Sequence, residues 1–143
     1  MSMQPTIERF CALYSDLTIP KLSQLGEIYH KDVCFCDPVE QIQGLTHLEA
    51  YLKHGLTGVQ HCRFEILDII QQDTQVSIQW NMYLSHPKIK QGASLVTPGV
   101  SLLRLEQDRI IFHRDYFDLG KMLYEQLPLL GKVIHHIKRR LSH

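Results

Sequence analysis

Between Val76 and Ser85 apolar and polar residues alternate without a break, and no feature of the chain restricts its fold more. Val76, Ile78, Trp80, Met82 and Leu84 fall on one side; Ser77, Gln79, Asn81, Tyr83 and Ser85 fall on the other. A period of two is that of a β-strand, whose successive side chains point to opposite faces. One face must therefore be buried, and a lone strand has nothing to bury it against. The flanking sequence offers neighbours. Residues 62–70 are rich in β-branched and aromatic side chains, 94–105 form another long run, and Glu106-Gln-Asp108 turns the chain into 109–118. Three hairpin-linked strands predict a meander.

The covering layer is read from the first sixty residues. Ile7, Phe10, Tyr14 and Leu17 recur at helical spacing after Thr6, a candidate N-cap. Pro20 opens a second helix burying Leu22, Leu25, Ile28 and Tyr29. Short strands are expected at 33–37 and 40–43, the second closed by Gly44. Thr46 with Glu49 forms a capping box for a third helix presenting Leu48, Leu52 and Leu56, with Gly58 past its end. Helices followed by strands give an α+β domain, with three helices on one face of the sheet closing a pocket. A broken helix over 119–143, interrupted at Pro128, extends it with a basic face that is either solvated or turned to a partner or an anionic surface.

The 143 residues suit a single domain spanning 1–143. Fifteen basic and fifteen acidic residues cancel, so no global field recruits nucleic acid. No run is long and apolar enough for a membrane span, and the start lacks a signal-peptide pattern, so a cytoplasmic protein is expected. Cys11, Cys34, Cys36 and Cys62 are then reduced thiols. Cys34 and Cys36 share a strand face, and buried apolar thiols are favoured over a metal site there. With no His-x-x-x-His, no Cys-x-x-Cys pair and no glycine-rich phosphate loop, neither metal nor organic cofactor is expected.

The order of elements, with Phe35-Cys-Asp-Pro-Val39 and Ile111-Phe-His-Arg-Asp-Tyr-Phe-Asp118, resembles the cone-shaped NTF2-like superfamily, in particular its SnoaL-like and ketosteroid isomerase-related members. The resemblance implies a curved mixed or antiparallel sheet under the helices, with an apolar cone inside. It also implies a homodimer through the outer sheet face, where Phe112, Arg114 and Tyr116 alternate with the inward set. Asp37 matches the catalytic base of ketosteroid isomerase by its Asp-Pro-Val setting, and Asp115 matches an aspartate of limonene epoxide hydrolase. The oxyanion-hole positions read Phe10 and Ser101, with Tyr14 one turn on as a substitute donor. The arginine and second aspartate of the hydrolase have no counterpart in Gln79-Trp-Asn-Met-Tyr83.

Asp37, His113 and Asp115 are thus the candidate catalytic residues, with Tyr14, Trp80, Met82, Ser101 and Phe10 lining the substrate chamber. Ile111, His113, Asp115 and Phe117 are expected on one face of the last strand. Such a set suits cofactor-free proton transfer beside a carbonyl, as in an isomerase, cyclase or dehydratase, on a small apolar compound. The alternative is a non-catalytic module that binds a ligand or a protein with the same cone. Asp37 before a proline, and an aspartate at a strand end, are also ordinary turn and cap residues.

Overall fold

The computed structural model describes residues 3–87, 94–119 and 140–141. Six strands form one mixed sheet in the order β2-β1-β6-β5-β4-β3: β1 (Tyr29–Cys36), β2 (Gln41–Gln43), β3 (His61–Gln72), β4 (Gln75–Ser85), β5 (Leu95–Glu106) and β6 (Arg109–Phe117). The meander, expected of three hairpin-linked strands, runs through four, β3 to β6, all antiparallel. β1 joins it parallel to β6, with Phe35 opposite His113. Asp73, at the β3–β4 turn, and the pair Gln107 and Asp108, between β5 and β6, adopt positive φ, the backbone of tight hairpins matching strand twist.

Helices α1 (Pro5–Tyr14) and α2 (Leu45–Leu56), with a 3₁₀ helix over Ile19–Glu27, cover one face. Ile7, Phe10 and Leu13 of α1, Leu22 and Leu25 of the 3₁₀ helix, and Leu48 of α2 are buried against Val33, Ile78, Leu103 and Ile110 of the sheet. The alternation of β4 is thereby explained: Val76, Ile78 and Trp80 are buried inward.

Local details differ from expectation. Gln4, not Thr6, caps α1, its side-chain oxygen accepting from the backbone amides of Thr6 and Ile7. The Thr6 hydroxyl instead donates to the carbonyl of Asp108, 2.5 Å away, tying helix to hairpin. α2 begins at Leu45 behind Gly44, whose φ of 91° suits glycine, rather than at Thr46. Ile28 follows the 3₁₀ helix, and Tyr29 is the first residue of β1, both buried as expected. Among the cysteines only Cys62 is fully buried; Cys34 and Cys36 are half-buried on the outer face of β1, because Val33 and Phe35 take the inward positions. The extension expected over 119–143 lies outside the described residues apart from Leu119, Arg140 and Leu141. No helix among the described residues is long and apolar enough to cross a membrane.

Candidate functional site

Register places the central polar groups. His113 and Asp115, two apart on β6, share its inner face, and Ser101 of β5 lies directly opposite Asp115. His113 is 1% exposed, and its Nε2 stands 2.6 Å from Asp115 Oδ1. The same carboxylate oxygen accepts from the Ser101 hydroxyl at 2.5 Å, and Ser101 in turn accepts from the Trp80 indole N–H at 2.9 Å. On its other side, His113 Nδ1 is 2.8 Å from the Tyr29 hydroxyl, which is 2.8 Å from that of Tyr14. With Asp115 ionised and His113 neutral, Nε2–H donates to the carboxylate, Nδ1 accepts from Tyr29, and Tyr29 accepts from Tyr14. Among the described residues no donor reaches Asp115 Oδ2.

Burial pushes the phenol pKa of Tyr14 up; its bond to Tyr29 lowers it, and the Asp115 charge adds to the rise. Tyr29 is raised well above the ordinary value, first by burial and then by Tyr14 and Asp115. Both phenols hold their protons at neutral pH. The ring of Tyr29 stacks on His113 at 5.8 Å and 5°, while Phe35 and Phe10 stand against the imidazole at 4.7 and 5.5 Å.

Above this network opens a cleft of about 360 Å³ between α2, β1 and the inner faces of β3 and β4. Phe35, Phe64, Met82 and Phe117 form its apolar wall, and Tyr14, Tyr51, Asp37, His54 and Asp115 are its polar groups. Grooves of similar size lie on the outer face, between Ile70, Ser77, Leu102 and Phe112 and beside Tyr116, but no imidazole lines them. Beneath the cleft, a void of about 10 Å³ touches Phe10, Trp80, Ser101 and His113, too small for more than one water.

Asp37 reaches the cleft mouth with its carboxylate engaged. Oδ1 accepts from the backbone amides of Val39 and Glu40 at 2.8 and 2.9 Å, and Oδ2 from the Tyr51 hydroxyl at 2.6 Å. Burial, then that bond and the Asp37 charge, raises the Tyr51 phenol. Of the residues expected in the chamber, Tyr14, Met82, Asp37 and Asp115 line the cleft, whereas Phe10, Trp80, Ser101 and His113 lie beneath it. Sequence reasoning missed Tyr29 and Tyr51 as members of the site. A buried tyrosine hydroxyl needs a partner, which is the signal Tyr29 carried. Among the described residues no group of three or more His, Cys, Asp or Glu is arranged to hold a metal.

Helices packed on one face of a six-stranded mixed sheet give the α+β architecture of the ketosteroid isomerase-like class of fold. The SnoaL-like domain model matches residues 7–113, and the chain belongs to the SnoaL-like family. No curated protein matches it. Among solved structures, it is similar to a protein with a ketosteroid isomerase-like fold from Catenulispora acidiphila, solved with trimethylamine. That likeness has a TM-score of 0.74 at 14% identity and covers 85% of this chain and 92% of the other. A protein from Shewanella putrefaciens, provisionally classed as a SnoaL-like polyketide cyclase, superposes at 0.72 with 19% identity, over 88% and 96% of the two chains. Another of that description, from Shewanella denitrificans, gives 0.66 and 24% over 85% and 97%. At these identities the structures show the fold alone.

Proposed function

We propose that the cleft binds a small, mostly apolar carbonyl compound, and that Asp115 moves a proton at the carbon beside that carbonyl. The protein is then a cofactor-free isomerase, cyclase or dehydratase. One observation carries this reading. Oδ1 of Asp115 is held by two internal donors, while Oδ2 has no partner among the described residues and its carboxylate lines an apolar cleft. A base must be fixed in place with an acceptor left open toward the substrate, and this carboxylate meets both conditions. His113 and Ser101 orient it. Asp37 holds Tyr51 at the mouth, and the three bonds it accepts favour that positioning role over proton abstraction. The relatives support a small-molecule pocket: one was solved with trimethylamine and another, TerC, with polyporic acid.

The non-catalytic reading also has an observation in its favour. Tyr51 donates to Asp37, and with His113 neutral the Tyr14 hydroxyl donates to Tyr29, so neither phenol then donates into the cleft. Deuterium exchange separates the two readings. Small apolar ketones and enones in D₂O should lose α-protons faster with the protein than without it, and Asp115→Asn should abolish the acceleration. Ligand-induced shifts at Met82 and Tyr51 without any exchange would leave a binding module. Neither shifts nor exchange would sink the cleft reading altogether.

We propose further that two copies pair through the outer sheet face and that the protein resides in the cytoplasm. Ile70, Leu102 and Tyr116 are exposed on that face, and no helix among the described residues is long and apolar enough to cross a membrane.

A further inference from the structure

We propose that Tyr14 is the second proton-transfer group of the cleft, and that Tyr29 connects it to His113 as a buried relay. The inference rests on the cleft being the ligand site. Tyr14–Tyr29, Tyr29–His113 and His113–Asp115 contacts of 2.8, 2.8 and 2.6 Å form one continuous chain. Both its ends, Tyr14 and Asp115, line the same cleft, whereas its middle members do not. Tyr29 and His113 are each 1% exposed, and Phe10 and Phe35 pack against the imidazole. A proton on His113 therefore reaches a ligand only through Tyr29 and Tyr14 or through Asp115.

Counting donors shows what the chain can do. With Asp115 ionised and both phenols holding their protons, only two arrangements put one proton in each contact. In the first, His113 is neutral, every donor points toward Asp115, and the Tyr14 oxygen offers a lone pair to the cleft. In the second, His113 is an imidazolium: Nδ1–H donates to Tyr29, Tyr29 to Tyr14, and Tyr14 into the cleft.

The two states differ by one proton taken from the ligand. A ligand O–H breaks as a Tyr14 O–H forms; the former Tyr14 proton passes to Tyr29, and the former Tyr29 proton to Nδ1. The ligand oxygen keeps the electron pair, and His113 gains a positive charge beside the Asp115 carboxylate, which stabilises it. Running backward, the relay protonates an oxyanion in the cleft. That supplies the donor which the resting state withholds, while Asp115 Oδ2 serves the adjacent carbon. The substrate class is therefore a compound whose carbonyl or hydroxyl oxygen sits beside an acidic carbon.

The test uses 4-nitrophenol, whose anion absorbs visible light, at a pH where the free phenol is mostly protonated. Bound to the wild-type protein it should appear as the anion, and ¹⁵N spectra should show both His113 nitrogens protonated. Tyr29→Phe keeps the stacked ring and changes no cleft-lining residue. It should still bind the probe, but with the bound anion-to-phenol ratio reduced about tenfold or more, equivalent to one pKa unit. Tyr14→Phe should do the same and carries the comparison if Tyr29→Phe does not fold. An unchanged ratio in a folded variant, with His113 singly protonated, would overturn the relay and leave the cleft standing. No probe-induced shift at Met82 or Tyr51 would overturn both.

Discussion

His113 stands over Asp115 so that one carboxylate oxygen is shared between its Nε2 and the Ser101 hydroxyl, at 2.6 and 2.5 Å. The two residues are next-but-one neighbours on β6, so strand geometry alone brings them to one face. What the sheet adds is Ser101, opposite Asp115 on β5, and Trp80, which donates to Ser101. The carboxylate is built into the core on one side and open on the other.

Replacing Asp115 separates those two sides. Asn retains an acceptor for both donors, so stability should change by less than about 1 kcal/mol, as for a hydrogen bond that is largely conserved. Ala leaves the Ser101 hydroxyl and the His113 N–H buried without a partner, and should cost about 2–4 kcal/mol. Urea denaturation of the two variants checks this. Equal stability of Ala and wild type would mean that the carboxylate is not holding His113.

Gly99 pairs with Trp80 across β4 and β5, and a Cβ there would lie under 3.0 Å from three atoms of the indole ring. Gly99→Ala should therefore displace Trp80 and cost about 1–3 kcal/mol, the range for overpacked cores. Trp80 is the single tryptophan of the chain, so its fluorescence reports the displacement directly. Gly55, in α2 with nothing within 4 Å of its would-be Cβ, gives the contrast. Gly55→Ala should stabilise by about 0.5–1 kcal/mol through helix propensity.

Alkali should unfold the protein before its buried phenols ionise. Tyr14, Tyr29 and Tyr51 are raised from 10.0, and burial pushes the Cys62 thiol from 9.0 up to about 12. Above the unfolded values the unfolded chain has lost protons that the folded chain keeps, so stability falls as pH rises. Below about pH 8 these groups are protonated in both states and contribute no slope. Denaturant midpoints should thus be flat to that point and drop steadily beyond it, with phenolate absorbance of the buried tyrosines rising only as the fold is lost. Midpoints that hold steady to about pH 11 would contradict the assigned burial of these groups.

The outer face of the sheet should be an interface between two copies. Ile70, Ser77, Leu102 and Arg114 form one row across β3 to β6, and Ile70 and Leu102 are 64% and 40% exposed. Arg104 and Arg114 lie over the rings of Phe112 and Tyr116. An apolar row with stacked arginines suits a self-complementary contact. Sedimentation at micromolar concentration should give a dimer, and Leu102→Arg a monomer. A wild-type monomer would count against the pairing.

Elements whose pattern is local were legible beforehand. The ten-residue alternation fixed the inward face of β4, the spacing of Ile7, Phe10 and Tyr14 fixed that of α1, and the hairpin at Gln107 and Asp108 lay where a polar turn separated two apolar runs. His113 and Asp115 were placed together because a period of two needs no knowledge of partners. The helix caps were misplaced by one or two residues, since Gln4 won over Thr6 only because the Thr6 hydroxyl is drawn to Asp108, 102 positions away. Tyr29 was legible as buried and nothing more. Its meeting with His113 requires β1 to pair parallel to β6, a contact spanning 84 positions that no local spacing encodes. The sequence by itself thus determined the layers and the inward faces of α1, β4 and β6, because those follow from periodicity and burial. Only the tertiary structure decided that Asp37 is tied by its own turn and Tyr51, that Asp115 keeps one oxygen open, and that Tyr14 reaches His113 through Tyr29, because each depends on where distant strands stop in register.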